Sequence, residues 1–271
     1  MIKIFFLKKY YFIVYHLTRM FFLENMVINK ENKHKRIYHY HIRKTGGTSL
    51  NKMFFLLNNT KDDSMNIYSE ICNSMNHRAV DSMSRIYVGY NPYFIENEDY
   101  FYGFSHIPMH KIKIPTEIFT FTIIRDPVER ILSHYKMLLD YEANKNKHPS
   151  FNTEKKWIGD SFGDFISRVP SRHLMRQLYM FSNSFNVEEA VENISKCSHV
   201  IFFEDFNKGV KSLFDKLELD MPEIIHEKKS AVCFEPKYDE LLMLRKLIEK
   251  ELVFYERVKY IYRHSDLLNN L

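Results

Sequence analysis

Residues 41–50, HIRKTGGTSL, form the stretch from which the predicted fold is built outward. They follow residues 37–42, a short apolar and aromatic run of the kind found in buried strands. Four apolar residues then recur at the i, i+3, i+4, i+7 spacing of an amphipathic helix: Leu50, Met53, Phe54 and Leu57. The sequence therefore predicts a strand, a glycine turn and a helix, in that order.

The glycine turn has the composition of an anion site. Adjacent glycines, Gly46 and Gly47, let the main chain approach a ligand closely, and the following helix directs its positive end at the same point. Lys44 adds a mobile charge, and three residues add hydroxyl groups: Thr45, Thr48 and Ser49. We expect a phosphate or a sulfonate here. The alternative is an ordinary turn in which Thr48 or Ser49 caps the helix.

A second strand-to-helix junction follows residues 118–124, an apolar and threonine-rich run. Asp126 stands where an N-cap belongs, Pro127 at the first helical position and Glu129 three residues after the cap, which predicts a capping box. Arg125 falls at the carboxyl end of the strand. Its alternative role is an ion pair with Asp126 or Glu129.

Further strands are predicted at residues 86–90, 100–105 and 199–203, separated by helical patterns. This alternation predicts an α/β protein, a P-loop-like three-layer fold whose mostly parallel central sheet carries helices on both faces. Ligands of such sheets bind beyond the carboxyl ends of the strands, so Arg125 and the Lys44 loop should face one crevice. Two anion-binding elements in one crevice indicate a ligand with two anionic groups.

Two other segments have structural predictions. Residues 144–160 are polar and basic and contain Trp157, and they are predicted to be a lid, a binding loop or a surface excursion. Residues 238–263 are rich in Leu, Lys and Glu at helical spacing and are predicted to close the fold as one long helix.

Charge and cysteine content argue against a nucleic-acid-binding protein and against a cysteine metal site. The net charge of +5 over 271 residues is modest, and its basic residues are scattered among 34 carboxylates, so we expect no nucleic-acid partner. The three cysteines are far apart and lack metal-ligand spacing, which favours a reduced, cytoplasmic chain with small buried thiols.

The predicted organisation is an N-terminal apolar and basic segment with a linker, residues 1–36, and one domain, residues 37–271.

The N-terminal segment is not a convincing membrane span, because charged residues interrupt it well short of the ~20 apolar residues that a span needs. Two placements stay open for residues 1–23: packing on the protein's own core, or peripheral contact with anionic lipid headgroups.

The two phosphate-binding patterns together carry a family resemblance. Residues 41–50 resemble the segment of sulfotransferases that binds the 5′-phosphosulfate of 3′-phosphoadenosine 5′-phosphosulfate (PAPS), and Arg125-Asp126-Pro127 through Tyr135 resembles their 3′-phosphate segment. The resemblance is to carbohydrate sulfotransferases, including the heparan sulfate 2-O and 6-O enzymes and bacterial relatives. Weaker matches extend it from residue 37 to residue 263: residues 103–106, 175–178, 203–206, 229–230 and 254–255.

The resemblance implies a role for each matching residue. Lys44 would face the leaving oxygen, residues 45–49 would bind the 5′-phosphate, and Arg125 with Ser133 would bind the 3′-phosphate, leaving adenosine 3′,5′-bisphosphate as product. No metal is implied. This chain departs from the family at Arg43, where proline is usual, which adds an unexplained cation near the sulfonate.

The acceptor hydroxyl needs a general base near neutral pH, where histidine titrates. His106 follows the strand of residues 100–105 at the predicted ligand edge and matches the family's histidine base. His110 is its competitor, and either could instead be a structural hydrogen-bonding residue. The histidines predicted to be structural lie within the first strand or the capped helix: His39, His41 and His134.

The acceptor itself is poorly specified. Arg172 and Arg176, beside His173, form a basic cluster that could meet an acidic sugar or the nucleotide, and the resemblance favours Arg176. It implies a carbohydrate or another hydroxyl acceptor. Two rival functions stay open: a P-loop kinase or NTPase, whose motif would need lysine after the second glycine rather than before both, and a non-catalytic module that binds anionic glycans.

Overall fold

The computed structural model describes residues 36–57, 59–73, 75–145, 148–224 and 232–268. They lie within one compact unit, residues 35–271. The segment 1–23, with its predicted membrane contact, falls outside the described residues, and the boundary at residue 36 stays a prediction. Of the helices that the structure describes, none is long and apolar enough to cross a membrane.

The centre of the fold is a six-stranded sheet with the order β2-β3-β4-β1-β5-β6. Among the strands of the described residues, β2 and β3 pair antiparallel and the other neighbours pair parallel, which confirms the predicted α/β class. At three residues, β2 is too short to show a period in the sequence, and it was not predicted. The strands are β1 (Ile37–Tyr40), β2 (Arg78–Val80), β3 (Ile86–Gly89), β4 (Tyr102–Ser105), β5 (Phe119–Ile124) and β6 (His199–Phe202).

Helices cover both faces of this sheet. They are α1 (Gly47–Leu56), α2 (Lys61–Asn73), α3 (Pro92–Asn97), α4 (Pro127–Ala143), α5 (Pro149–Glu154), α6 (Phe162–Arg168), α7 (Ser171–Leu174), α8 (Arg176–Phe181), α9 (Val187–Ser195), α10 (Phe206–Leu217), α11 (Tyr238–Leu247) and α12 (Glu249–Leu268). Short 3₁₀ turns are formed by Met109–Lys111, Lys155–Trp157 and Phe203–Asp205.

Alternation along β1 separates the two sides of the core. Ile37 packs with α1, α2 and α10, whereas Tyr38 and Tyr40 pack with α8, α9 and α12. A third apolar cluster joins α4, α6 and α11 around Trp157, which is buried. The segment 144–160 is therefore anchored by a helix, a 3₁₀ turn and a buried tryptophan, and it is not a simple surface excursion.

Two structural predictions are wrong in part. The C-terminal segment forms two helices rather than one, because Ile248, at φ −111° and ψ 18°, ends α11. The cysteines are free thiols, but of the three only Cys197 is buried, and Cys233 is exposed.

The register of the sheet brings the candidate residues to one edge. Tyr40, the last residue of β1, lies opposite Ser105 of β4 and Thr122 of β5. The Lys44 loop, His106 and Arg125 each follow the carboxyl end of one of these strands. They therefore emerge side by side in the middle of the sheet.

Candidate functional site

The turn between β1 and α1 leaves the helix without a side-chain cap. Gly46 is the N-cap, with φ of 88°, a left-handed conformation that favours glycine, and no side chain caps the helix. The predicted alternative, a cap by Thr48 or Ser49, is wrong. Since the first N–H groups of a helix have no intrahelical acceptor, the N-terminus of α1 is suited to an anion.

Lys44 lies in the same turn with φ of 69°. Burial, and then the charges of Arg43 and Arg125, lower its pKa to about 8. Positive charge is therefore concentrated at the loop, and a bound anion would relieve the repulsion. This electrostatic pattern favours an anionic ligand.

The hydroxyl groups of the loop have different roles. Thr45 is fully buried, and its hydroxyl donates to the carbonyl of Ile42 at 2.9 Å. This hydroxyl therefore holds the turn, and the role of Thr45 in ligand binding stays a prediction. Thr48 is half-buried in the first turn of α1, and Ser49 is buried.

Glycine is required at position 47 because two histidine rings lie close to its Cα atom, and not because of its backbone angles. A Cβ atom there would lie 2.2 Å from Cδ2 of His41 and 2.8 Å from Cε1 of His39. Both rings are buried beneath α1, and His39 Nδ1 lies 2.9 Å from Asn51 Oδ1. These two histidines are structural, as predicted, and their rings form the floor beneath the loop.

Gly47→Ala is therefore expected to displace both rings and the start of α1. The free energy of unfolding should fall by about 2 kcal/mol, as for an overpacked core, and phosphate-ligand affinity should fall with it. Denaturant unfolding and calorimetric titration with adenosine 3′,5′-bisphosphate would measure both effects. Gly163→Ala is the matched control, because its Cβ atom would meet nothing closer than 3.5 Å; equal effects of the two substitutions would contradict the close-packing account.

Arg125 lies against the glycine turn, as the predicted sheet required. Its Nη1 donates to the carbonyl of Lys44 at 3.4 Å, and its guanidinium lies 4.5 Å from the centre of the Phe203 ring. Glu129 is 3.6 Å away, but its side chain is 59% exposed, so this ion pair neutralises Arg125 only weakly. The charges of Glu204 and Asp126 also act on Arg125, but both carboxylates accept main-chain hydrogen bonds at the start of α4.

The start of α4 is formed largely as predicted. The Asp126 side chain accepts from the N–H of Glu129 at 2.9 Å, and Pro127 is the first helical residue. The capping box is wrong, because the N–H of Asp126 donates to Glu204 Oε1 at 2.7 Å rather than to Glu129. Ser133 is half-buried on α4.

His106 is hydrogen-bonded to the main chain at His41, one residue after β1 and three residues before Lys44. Its Nδ1 lies 2.6 Å from the carbonyl oxygen of His41, and because a carbonyl only accepts, Nδ1 carries the proton. The lone pair is therefore on Nε2. Burial, with the charges of Arg43 and Arg176, lowers the pKa of His106 to about 3, so the ring is neutral at physiological pH. Nε2 is therefore free to accept a proton, but the lowered pKa departs from the near-neutral value that the sequence led us to expect of a general base.

The remaining candidates separate into two groups. Arg176 is half-buried and donates from Nη2 to the carbonyl of His106 at 2.7 Å, while its Nε is buried with no partner in the described part of the chain. His110 and Arg172 are exposed, and the His110 ring packs on Tyr179 at 5.2 Å. The structure thus joins Arg176 to His106 and leaves the other two at the surface.

Arg43, the unexplained cation, has a partner. It forms an ion pair with Glu154 of α5, a carboxylate that also accepts from His134 Nε2 at 2.9 Å. Although burial opposes ionisation, these two partners bring the pKa of Glu154 to about 2. Arg43 therefore links α5 to the Lys44 loop, and His134 is structural, as predicted.

Arg43→Met is expected to lower the free energy of unfolding by about 2 kcal/mol at pH 7, because it removes a charged hydrogen bond from buried Glu154. Since the pKa of Glu154 is depressed, its contribution is complete above 4.5 and is lost as the pH falls toward 2. Denaturant unfolding at several pH values should show the difference from the wild type shrinking below 4.5. Arg257→Met, which removes an exposed ion pair with Glu188, is the control and should have little effect.

Three contributors to this site were not predicted: Glu154, Gln177 and Phe203. Gln177 and Phe203 fall within the weaker family matches, and these matches could have identified them. No sequence pattern pointed to Glu154, because its partner Arg43 is 111 residues away.

The site combines a glycine loop, a helix N-terminus and two cations on a P-loop-like α/β fold, and these features suit an anionic ligand. The model of the sulfotransferase family matches residues 27–270, and the chain belongs to that family. Family membership supports transfer of a sulfonyl group to an acceptor that carries a hydroxyl. No curated protein sequence matches the chain. Among the described residues, no three or more His, Cys, Asp or Glu side chains group as metal ligands would.

Proposed function

We propose that this protein transfers a sulfonate group from PAPS to a hydroxyl group of a carbohydrate acceptor, leaving adenosine 3′,5′-bisphosphate. The observation that carries the proposal is the position of Arg125. Its guanidinium lies beside the Lys44 loop, 3.4 Å from the Lys44 carbonyl, so a second cation adjoins the uncapped helix N-terminus. This concentration of positive charge favours a ligand that carries more than one anionic group.

Each part of the site has a defined task in this reaction. The N–H groups of residues 46–49 and the Thr48 and Ser49 hydroxyls hold the 5′-phosphate, and Arg125 with Ser133 holds the 3′-phosphate. Lys44 stabilises the charge that develops on the oxygen bridging phosphorus and sulfur. That oxygen–sulfur bond breaks as the acceptor oxygen bonds to sulfur, and the acceptor proton passes to His106 Nε2.

The assignment of His106 as base is supported by its tautomer. The hydrogen bond of Nδ1 to the His41 carbonyl leaves Nε2 as the nitrogen that can accept the acceptor proton. His110 is the weaker candidate, because its ring is exposed and packs on Tyr179.

The acceptor side is assigned to Arg176, with Arg172 and His110 at its rim. Arg176 is favoured because its Nη2 donates to the His106 carbonyl, and its buried Nε has no hydrogen-bond partner among the described residues. The proposal includes no metal and no nucleic-acid partner. It places the protein in the cytoplasm, with the membrane contact of residues 1–23 as an optional attachment.

Nucleotide binding with and without Mg²⁺ tests the proposal against a kinase or NTPase. Asp126 caps α4, so it is already committed at the strand end where a Mg²⁺ ligand would be expected. We expect adenosine 3′,5′-bisphosphate to bind equally well with Mg²⁺ or EDTA. Metal-dependent binding of ATP that excludes the bisphosphate would refute the proposal.

Arg125→Ala should weaken binding of adenosine 3′,5′-bisphosphate roughly 10- to 100-fold, the value of a charged hydrogen bond to phosphate. Binding of adenosine 5′-monophosphate should change little, because that ligand lacks the group that Arg125 holds. Calorimetric titration of both ligands measures the difference. Arg245→Ala, which removes an exposed arginine of α11, is the control; equal losses for the two ligands would refute the 3′-phosphate assignment.

A further inference from the structure

The short turn between β5 and α4 is held by side chains. The side chain of Gln177, which is fully buried, accepts from the N–H of Arg125 at 2.8 Å and donates to its carbonyl at 2.9 Å. The next N–H, that of Asp126, donates to Glu204 Oε1 at 2.7 Å. The main chain that carries Arg125 is therefore fixed from two directions.

Both of these side chains are held in turn by the C-terminal helix α12. Glu251 accepts from the N–H and the side-chain amide of Gln177 at 3.0 and 3.3 Å. Tyr255 donates to Glu204 Oε2 at 2.9 Å. Glu251 and Tyr255 are four residues apart and so lie on one face of α12, one turn from each other. A single helix face thus supports both ends of the turn.

The buried charge in this network indicates a role beyond packing. Glu251 is fully buried, and its carboxylate pairs with Arg130, 1% exposed, at 3.4 Å. Removing such a pair from water is costly, and an apolar pair of similar volume is often as stable. What a buried carboxylate supplies that an apolar side chain does not is a fixed set of hydrogen bonds, here directed at Gln177.

We propose that Gln177, Glu251, Glu204 and Tyr255 are positioning residues for the 3′-phosphate of the donor, because they hold the main chain of Arg125 so that its guanidinium lies between the Lys44 loop and Phe203. This inference rests on the proposed function, in which Arg125 binds that phosphate. It assigns α12 to the nucleotide site, although none of its side chains need touch the ligand.

The test measures how strongly the protein prefers adenosine 3′,5′-bisphosphate over adenosine 5′-monophosphate. Gln177→Met, Glu251→Gln and Tyr255→Phe are titrated with adenosine 3′,5′-bisphosphate and with adenosine 5′-monophosphate. Gln177→Met and Glu251→Gln should each lower the ratio of the two affinities about tenfold, and Tyr255→Phe by a smaller factor, while monophosphate binding stays within about twofold. Glu249→Gln, an exposed glutamate on the same helix, is the control and should keep the wild-type ratio.

A double-mutant cycle separates positioning from general stability. In the Arg125→Ala background, Gln177→Met should not lower the ratio further, because the group it positions is gone. Equal loss of both ligands, or a full additional loss in that background, would overturn the inference. If Gln177→Met or Glu251→Gln does not fold, Tyr255→Phe, which removes a single oxygen, decides: an unchanged ratio refutes the inference. A wild-type protein without preference for the bisphosphate would instead refute the 3′-phosphate assignment in the proposed function.

Discussion

His106→Ala is expected to lower the rate of sulfonate transfer roughly 10³-fold, within the range that a general base contributes. The acceptor hydroxyl would lose the nitrogen that takes its proton. Affinity for adenosine 3′,5′-bisphosphate should be nearly unchanged, because the hydrogen bond of the His106 side chain is with the His41 carbonyl rather than with residues 44–49. Single-turnover transfer and calorimetric titration measure the two effects separately.

His110→Ala is the matched comparison for this substitution. It removes a second histidine four residues away whose ring is exposed, and we expect at most a small loss of activity. Substantial residual transfer by His106→Ala, with a large loss in His110→Ala, would assign the base to His110.

Lys44→Met should lower the transfer rate roughly 10²- to 10³-fold, the usual effect of removing a charge that stabilises a developing anion. Methionine keeps much of the side-chain length while removing the ammonium group. Because negative charge on the bridging oxygen grows in the transition state, the rate should fall more than the affinity for adenosine 3′,5′-bisphosphate.

Lys61→Met, which removes an exposed lysine of α2, is the control for lost surface charge. The role of Lys44 would be contradicted if its removal weakened bisphosphate binding and transfer equally, since that pattern belongs to a group that binds reactants and transition state alike.

The sequence predicts the parts of the site that depend on neighbouring residues. The turn at Gly46, the cap by Asp126 and Pro127 as first helical residue are local features with specific chemistry, and the structure contains all three. The alternation of strands and helices then predicts a parallel sheet, which brings Lys44 and Arg125 to one edge.

The contacts that the sequence does not predict join distant segments. Arg43 meets Glu154 across 111 residues, and Gln177 meets Glu251 across 74. No periodicity encodes such a pair, because from its own segment alone each of these polar residue types is expected at the surface. The same reason explains the capping box: Glu129 has the correct spacing, but Glu204, 78 residues away from Asp126, takes the N–H. Tertiary structure thus decides which polar partner is used.

Transfer of a labelled sulfonate group is the most direct test of the proposed function. The full chain would be incubated with PAPS labelled at sulfur and a panel of glycans, lipids and small alcohols, with His106→Ala in parallel. We predict label in at least one carbohydrate acceptor, release of adenosine 3′,5′-bisphosphate in equal amount, and neither with His106→Ala. Bisphosphate binding without transfer to any acceptor and without hydrolysis of the donor would contradict the proposal and favour a non-catalytic module that binds anionic glycans.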